Sequence, residues 1–429
     1  MTDGREAGAL EAAWQRSDLL FGLIAEPALL ARPIPLRQPF LFYLGHLPAF
    51  AWNHLGRGLG LPPLSREFDS LFERGIDPPD DAEDAPGDPP TAWPMLEQVL
   101  AYRDRARREL RGKLDDPRLR DALPMVVEHE LMHHETLLYM LQELPAAAKR
   151  RPVEVLPPAP RGSARAVGVR IPAGRVALGA PRDGRFRWDN EHGPHVVDVP
   201  AFTIDALPVT NRDFRAFVDD GGYAERRLWS DDGWRWIRRR GARAPHGWRD
   251  RDGAWRVATP FGDAPFDDAA DWPACVSHCE ARAYATWRGA RLPSEAEFQR
   301  AAYAASDGGS ERPQPWGDEA PEPRHANLGL ARWGLTPVGA HPDGASAFGV
   351  QDLVGNAWEW TGTLFHPFPG FEPMARYPGY SADFFDQRHF VLLGGSWATD
   401  ARLARRSFRN WFQPHYPYVF AQFRCVTTA

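Results

Sequence analysis

Between Arg151 and Arg165 the chain carries Pro152, Pro157, Pro158, Pro160 and Gly162 among small residues, and the text on either side of that run differs in kind. Proline removes a backbone donor and biases the residue before it away from the helix, so so dense a run neither continues a helix nor joins a sheet. It reads as a linker over residues 151–166 that separates a first domain, residues 1–150, from a second, residues 167–429. A chain of 429 residues also exceeds the size at which a single core stops growing, which favours two domains on length alone.

Upstream of the linker, apolar residues recur at helical spacing over Glu11 to Ala31, Phe40 to His54, Trp93 to Lys113 and Pro124 to Leu144. Four such helices predict a bundle. The acidic, proline-rich run from Asp77 to Pro90 cannot bury enough apolar surface to order itself and is expected to be a surface loop. Downstream, glycine-rich and aromatic segments alternate with short apolar runs, and helical windows are few: Asn211 to Asp219, Cys275 to Trp287 and Ser294 to Ala304. No internal repeat is present. The overall class is α+β in two domains, helical first and irregular, β-containing second.

Charge and cysteine usage narrow the partners. The formal net charge is −6 with both signs interspersed, which offers no footprint for nucleic acid or an anionic membrane. Small molecules are the expected partners. Cys275, Cys279 and Cys425 are the only cysteines, too few and odd in number for a disulfide framework, so a reducing cytoplasm is expected. No basic region leading into an apolar core opens the chain, and the most apolar stretch, Phe40 to Trp52, is far short of the roughly 20 residues of a membrane span. The 17 tryptophans suffice to fill a core and line a pocket as well.

One helical segment carries chemistry. In the run His129-Glu130-Leu131-Met132-His133-His134-Glu135, His129 and His133 lie about 40° apart on a helix, one turn apart, and can share one ion. His134 falls about 140° from His129 and Glu135 about 120° the other way, so neither joins the same coordination sphere easily. Glu135 is better read as a residue that supports the ligands or the helix. The same letters spell the His-Glu-x-x-His helix of zinc peptidases. A peptidase needs a third ligand further along and a cleft, whereas here the chain runs into Leu137, Leu138 and Leu141 and then the linker. Paired histidines on a bundle surface are the bland alternative. His46 shifts that balance: it sits inside the apolar segment Phe40 to His54, where a buried imidazole needs a partner or a metal to offset its desolvation. Three neutral nitrogens leave positions open on iron, and zinc would accept the same set.

These residues, with Leu44-Gly45-His46-Leu47 upstream and a series of segments in the second domain, resemble the EgtB/OvoA/SenA family of non-haem iron sulfoxide and selenoneine synthases. The second-domain segments are Trp188 to Glu191, Pro208 to Asn211, Gly289 to Glu295, Pro315 to Gly317, Gly355 to Trp360 and Gly394 to Trp397. The resemblance spans nearly the whole chain and implies a DinB-like four-helix bundle joined to a formylglycine-generating-enzyme-like domain of C-type-lectin-like fold. Most of the tryptophans and glycines in those segments serve packing and unusual backbone angles. The formylglycine-generating enzyme uses a cysteine pair after its Gly-Gly-Ser segment; Trp397 to Trp411 contains none, which disfavours that activity.

The resemblance further implies that Fe(II), held by His46, His129 and His133, takes a thiolate or selenolate and O2 beside hercynine, the trimethylated betaine of histidine, and that a bond forms at the imidazole carbon. A metal lowers the pKa of such a nucleophile and holds it against the second substrate. In Tyr377-Pro378-Gly379-Tyr380-Ser381 the first tyrosine matches the family's catalytic tyrosine, a competent proton donor, with Tyr380 as a further pocket residue. Asn410 and Trp411 match the residues that receive the trimethylammonium group, for which an indole face has affinity. Phe412 adds a wall.

Family members that use γ-glutamylcysteine hold its carboxylates with charged residues. Here the matching aspartate position is Phe412 and an arginine position is Tyr416, while Arg74, in the loop after the second helix, stands out of register. Each lost charge-assisted bond is worth roughly 1.5–3 kcal/mol, so that donor is disfavoured. Aromatic walls suit a neutral, flat-faced molecule, and the selenoneine synthase branch uses a seleno sugar. The expected reaction is therefore C–Se bond formation between hercynine and a seleno sugar, with an EgtB-type C–S bond to cysteine or another thiol as the alternative. Of a different class are a zinc hydrolase and a non-catalytic module whose lectin-like domain binds a ligand.

Overall fold

The computed structural model describes residues 3–73, 93–152, 167–306 and 310–428. The acidic run Asp77 to Pro90, Arg74 and most of the proline-rich linker lie outside the described residues. The chain forms two compact units, Met1–Val153 and Glu154–Ala429. Among the described residues no helix is long and apolar enough to cross a membrane.

The first unit is helical: α1 (Asp3–Gly22), α2 (Phe40–Ala51), α3 (Arg66–Leu71), α4 (Leu96–Arg111) and α5 (Leu123–Glu143). α1 packs on α5 and α2 on α4, with α2 also meeting α5. Every residue of α2 is buried, which is why its sequence is apolar all round rather than striped. α5 stops because Leu144, ahead of Pro145, is held in the extended region (φ −68°, ψ 149°).

Two helices of this unit differ from expectation, and one more helix is present. The helix placed at Glu11 to Ala31 begins at Asp3 and ends at Gly22, and Glu26–Leu30 forms a separate 3-10 turn. Pro27 inside the expected helix would delete an i→i−4 bond, so the chain breaks before it. The helix placed at Phe40 to His54 is α-helical to Ala51 and continues as a π-turn over Trp52–Gly56. The additional helix is α3, whose start Ser65 marks by accepting from Phe68 N at 3.2 Å. Buried Asp69 fastens α3 in place, accepting from Leu64 N (3.0 Å), Ser65 N (3.2 Å) and the Tyr102 hydroxyl on α4 (2.8 Å).

The second unit mixes short strands, helices and irregular chain. β1 (Gly168–Ile171), β4 (Phe202–Asp205) and β12 (Val426–Thr428) form one antiparallel sheet in the order β1-β4-β12. β2 (Gly174–Leu178) pairs with β3 (His195–Val199), and β5 (Trp248–Arg251), β6 (Ala254–Thr259) and β7 (Gly262–Pro265) form a meander. The fourth sheet runs β10-β9-β8-β11, from β8 (Trp358–Leu364), β9 (Phe390–Leu393), β10 (Asn410–Phe412) and β11 (Ala421–Gln422). The helices are α6 (Asn211–Asp219), α7 (Asp231–Arg240), α8 (Phe266–Ala269), α9 (His278–Trp287) and α10 (Glu295–Tyr303). Thr210, Ser277 and Ser294 open α6, α9 and α10 with capping boxes closed by Asp213, Glu280 and Glu297. That cap is why α9 begins at His278 rather than at Cys275.

The core of this unit gathers Ile171, Val176, Phe202, Ile204, Phe298 and Val391. Two buried arginines hold its irregular chain together. Arg424 and Glu359, both essentially inaccessible, pair at 2.8 Å. Arg300 instead donates to three carbonyls, of Pro172 (2.8 Å), Ala173 (3.1 Å) and Arg175 (3.2 Å), at the entrance to β2. At Gly394 (φ +88°) a Cβ would lie 2.3 Å from the Leu353 carbonyl, so the Gly-Gly step there has no substitute.

Candidate metal centre and aromatic cluster

Helical spacing on α5 and burial on α2 bring His46, His129 and His133 together, with one ligand nitrogen from each lying within 4.8 Å of the others. His129 Nε2 is 3.3 Å from His46 Nε2 and 3.2 Å from His133 Nε2. Nitrogens about 2.0–2.1 Å from one ion and subtending 90–109° there stand about 2.9–3.4 Å apart, the spacing seen. Hydrogen bonding cannot account for the arrangement as well. His46 Nδ1 donates to the Phe72 carbonyl at 2.7 Å, so a neutral His46 offers a bare Nε2. His129 Nε2 cannot both donate to His46 and accept from His133, so at most one of the two contacts is a hydrogen bond. A cation would take all three lone pairs.

Burial is the main cause that depresses these histidines. It brings His46 down to about 4, against the raising effect of the Phe72 hydrogen bond, and holds His129 and His133 well below the usual range, where the neighbouring imidazoles push the same way. All three are therefore neutral at pH 7, the state that ligates metal. Aromatic rings fix their planes. Phe50, one turn after His46, lies flat on the His129 imidazole (3.5 Å between centroids, 6° between planes), and Phe42 is nearly parallel to His46 (5.2 Å, 16°). His54, in the π-turn, lies 4.2 Å from Phe50 between ring centroids. Phe42, Phe50 and the Phe72 carbonyl were not legible as site residues. For Phe42 and Phe50 the available signal was their helical spacing of four from His46.

The remaining polar residues of the motif face elsewhere. His134 and Glu130, both buried, reach Ser17 on α1: the Ser17 hydroxyl donates to Glu130 Oε1 at 2.5 Å and accepts from His134 Nε2 at 2.8 Å. Glu135 is buried and is not among the convergent donors.

In the second unit, Tyr377, Tyr380 and Trp411 gather in one cluster. Trp411 lies flat on Phe365 (4.3 Å, 7°) and meets Tyr380 edge-on (5.4 Å, 82°); Tyr380 is 5.8 Å from Tyr377 and stacks on Trp188 (3.9 Å, 22°). Asn410 accepts from the Trp411 amide at 2.9 Å. Consecutive residues of a strand face opposite ways, and Phe412 belongs to a second cluster, parallel to Tyr416 (5.1 Å, 10°). Tyr416 is only 5% exposed and also meets Tyr418 edge-on, so its ring fills a packing position rather than an open wall. Burial raises the Cys279 and Cys425 thiols to about 12, which keeps them protonated and unreactive.

Comparison with known proteins assigns both units. The DinB superfamily matches residues 9–137, and the sulfatase-modifying factor enzyme 1-like domain matches residues 153–429. Hercynine oxygenase of Mycobacterium tuberculosis is 42% identical over 304 residues, covering 70% of each chain. The chain belongs to the EgtB/OvoA family. Hercynine oxygenase of Mycolicibacterium thermoresistibile is 44% identical over 311 residues, 71% of this chain and 68% of that one. Ergothioneine biosynthesis protein 1 of Neurospora crassa is 30% identical, covering 97% of this chain and 57% of its own length. Both parts of this EgtB/OvoA-type chain thus have counterparts in a single relative.

Proposed function

We propose that this chain is an O2-dependent, non-haem iron enzyme that joins the imidazole carbon of hercynine to a chalcogen donor. The observation that carries the reading is the convergence of His46, His129 and His133 in a chain whose relatives are named for hercynine oxygenation. Iron bound by these imidazoles would supply the O2 chemistry and acidify the chalcogen nucleophile.

The protein's own residues divide the remaining work. The neutral imidazoles present lone pairs at pH 7 without competing protons, and the Phe72 carbonyl keeps His46 in the tautomer that does so. Trp411 offers the trimethylammonium group of hercynine an indole whose opposite face is backed by Phe365, with Asn410 beside it. Tyr377 would donate a proton from its hydroxyl to the oxygen being reduced, while the imidazole carbon and the chalcogen give up their own hydrogens as the new bond forms. The names of the relatives, hercynine oxygenase and ergothioneine biosynthesis protein, favour a thiol donor and a C–S bond.

A seleno sugar and a C–Se bond form the second reading. It is favoured by the uncharged Phe412–Tyr416 stack at the positions where the resemblance places a carboxylate clamp, and weakened by the burial of Tyr416. Iron-loaded protein given hercynine, O2 and an equimolar mixture of cysteine, γ-glutamylcysteine and the seleno sugar decides the matter by product mass. A sulfur adduct of hercynine is the expected product; a selenium adduct alone selects the second reading. No iron-dependent oxygen consumption with any donor overturns both, and tight zinc with peptide cleavage returns the hydrolase.

A further inference from the structure

The turn Trp188–His192 ties together stretches of the second unit that lie far apart in sequence. Asp189, 3% exposed, accepts from the Ser381 hydroxyl at 2.6 Å and from the Asn190 amide at 2.8 Å through Oδ1, and from the Met374 amide at 3.3 Å through Oδ2. Met374 and Ser381 are the two ends of the loop that carries Tyr377. Inside that loop the chain makes tight turns, Tyr377 N to Met374 O (3.0 Å) and Tyr380 N to Tyr377 O (3.2 Å). Ala375, Arg376, Pro378 and Gly379 are exposed, so burial does little to fix its shape. Tyr380 anchors it by stacking on fully buried Trp188, the residue before Asp189.

The other side of the turn is fastened to the segment that leads into β10, the strand that bears Trp411. Glu191, fully buried, accepts from the Trp188 amide (2.9 Å), from Arg405 Nε (2.8 Å) and from the Ser407 hydroxyl (2.6 Å). Arg409, adjacent to β10, donates to the Asn190 carbonyl at 3.3 Å. One short turn therefore holds the tyrosine loop with one carboxylate and the approach to β10 with another. A buried carboxylate is costly unless donors surround it, and Asp189 meets that need with donors from both ends of one loop.

We propose that Asp189 is a positioning residue: by clasping Met374 and Ser381 it sets where the Tyr377 hydroxyl stands relative to the Trp411 indole. This rests on the proposed function only in that Tyr377 acts on substrate; the clasp itself is independent of it. The test uses the full chain with Asp189→Ala, Asp189→Asn and Ser381→Ala, following amide hydrogen exchange over residues 374–385 and, separately, turnover of hercynine with its donor. Losing two hydrogen bonds should speed exchange in that loop about tenfold and lower kcat by a similar factor, with KM for hercynine changed less than about threefold. Ser381→Ala, which leaves the carboxylate in place, should give part of both effects. In a Tyr377→Phe background, Asp189→Ala should lower kcat less than about twofold further, because the two act as a unit. Unchanged exchange overturns the clasp. Faster exchange with unchanged kcat overturns the positioning role. Full turnover by Tyr377→Phe alone overturns the role of Tyr377 in the proposed function, and the positioning role with it, whatever the exchange shows.

Discussion

Gly45→Ala tests the link between helix packing and the candidate metal centre without touching a ligand. A Cβ at this position would lie 2.5–2.6 Å from three ring carbons of Phe72, where carbon atoms ordinarily rest about 3.5–4.0 Å apart, so the ring must move by about 1 Å. It has little room, being fully buried among Phe42 (6.1 Å), Phe68 (5.6 Å) and Tyr102 (6.3 Å). Such overpacking costs about 1–3 kcal/mol. The gain in helix propensity from glycine to alanine, about 1 kcal/mol, offsets part of it, leaving the metal-free protein about 0–2 kcal/mol less stable. Metal affinity has no such compensation. The Phe72 carbonyl that accepts from His46 Nδ1 at 2.7 Å moves with its ring, and loss of such a partner lowers affinity about 10–100-fold, or about 1.4–2.8 kcal/mol. Titration of metal-free protein with Co(II) against a chelating dye measures the affinity, and thermal melts without metal measure the packing. Adding Phe72→Leu to Gly45→Ala should restore affinity, because the clash goes and the carbonyl stays. A Gly45→Ala protein that melts lower yet binds Co(II) as tightly as wild type would refute the coupling.

Further expectations concern the ligands, a buried acid and a buried base. His46→Ala, His129→Ala and His133→Ala should each abolish the rise in Tm that Fe(II) or Co(II) gives the wild-type protein by binding its native state; a variant that keeps the full rise removes that histidine from the site. Burial raises the Asp352 carboxyl to about 6, against the Gly339 amide and Arg424, which lower it. The folded state then holds this proton more tightly than the unfolded state, so the contribution present below about pH 4 is lost as pH rises through about 6. Asp352→Asn keeps an acceptor for the Gly339 amide (2.6 Å) and suits the left-handed backbone there (φ +52°). Its Tm relative to wild type should therefore climb between pH 4 and 7, and a difference that stays flat rejects the assignment. Arg300→Met should lower the Tm of the second unit by leaving the Pro172, Ala173 and Arg175 carbonyls short of a donor, about 1–3 kcal/mol for each one left unsatisfied. Urea denaturation followed by tryptophan fluorescence reads the loss, and an unchanged midpoint contradicts it.

What could be read from sequence depended on how local its cause was. His129 and His133 are one turn apart on α5, and helical geometry alone pairs them. The cap at Thr210 and the stretch Asn211 to Asp219 likewise declare α6 within a few residues. The end of α1 is harder to place, because Gly22 and Pro27 compete with an apolar pattern that runs on through Leu29 and Leu30 in a 3-10 turn. Phe72 was out of reach entirely: its contribution to the candidate centre is a main-chain carbonyl, which every residue possesses, delivered from a short helix that Asp69 and Tyr102 hold in place. The second unit hid its aromatic clusters for a related reason. Phe412 and Trp411 are neighbours in sequence, but strand geometry sends them to different clusters, and the partner that each ring meets is decided by loops far along the chain.

The Ser17 hydroxyl holds two side chains of helix α5. Glu130 and His134 repeat the spacing of His129 and His133 one position later, so the helix carries two ladders about 100° apart. Rotated by that amount, it would offer His46 a carboxylate and an imidazole, and two histidines with one carboxylate are themselves an iron-binding set. Ser17 engages both Glu130 and His134 from α1, so the second ladder is taken up there while His129 and His133 converge with His46.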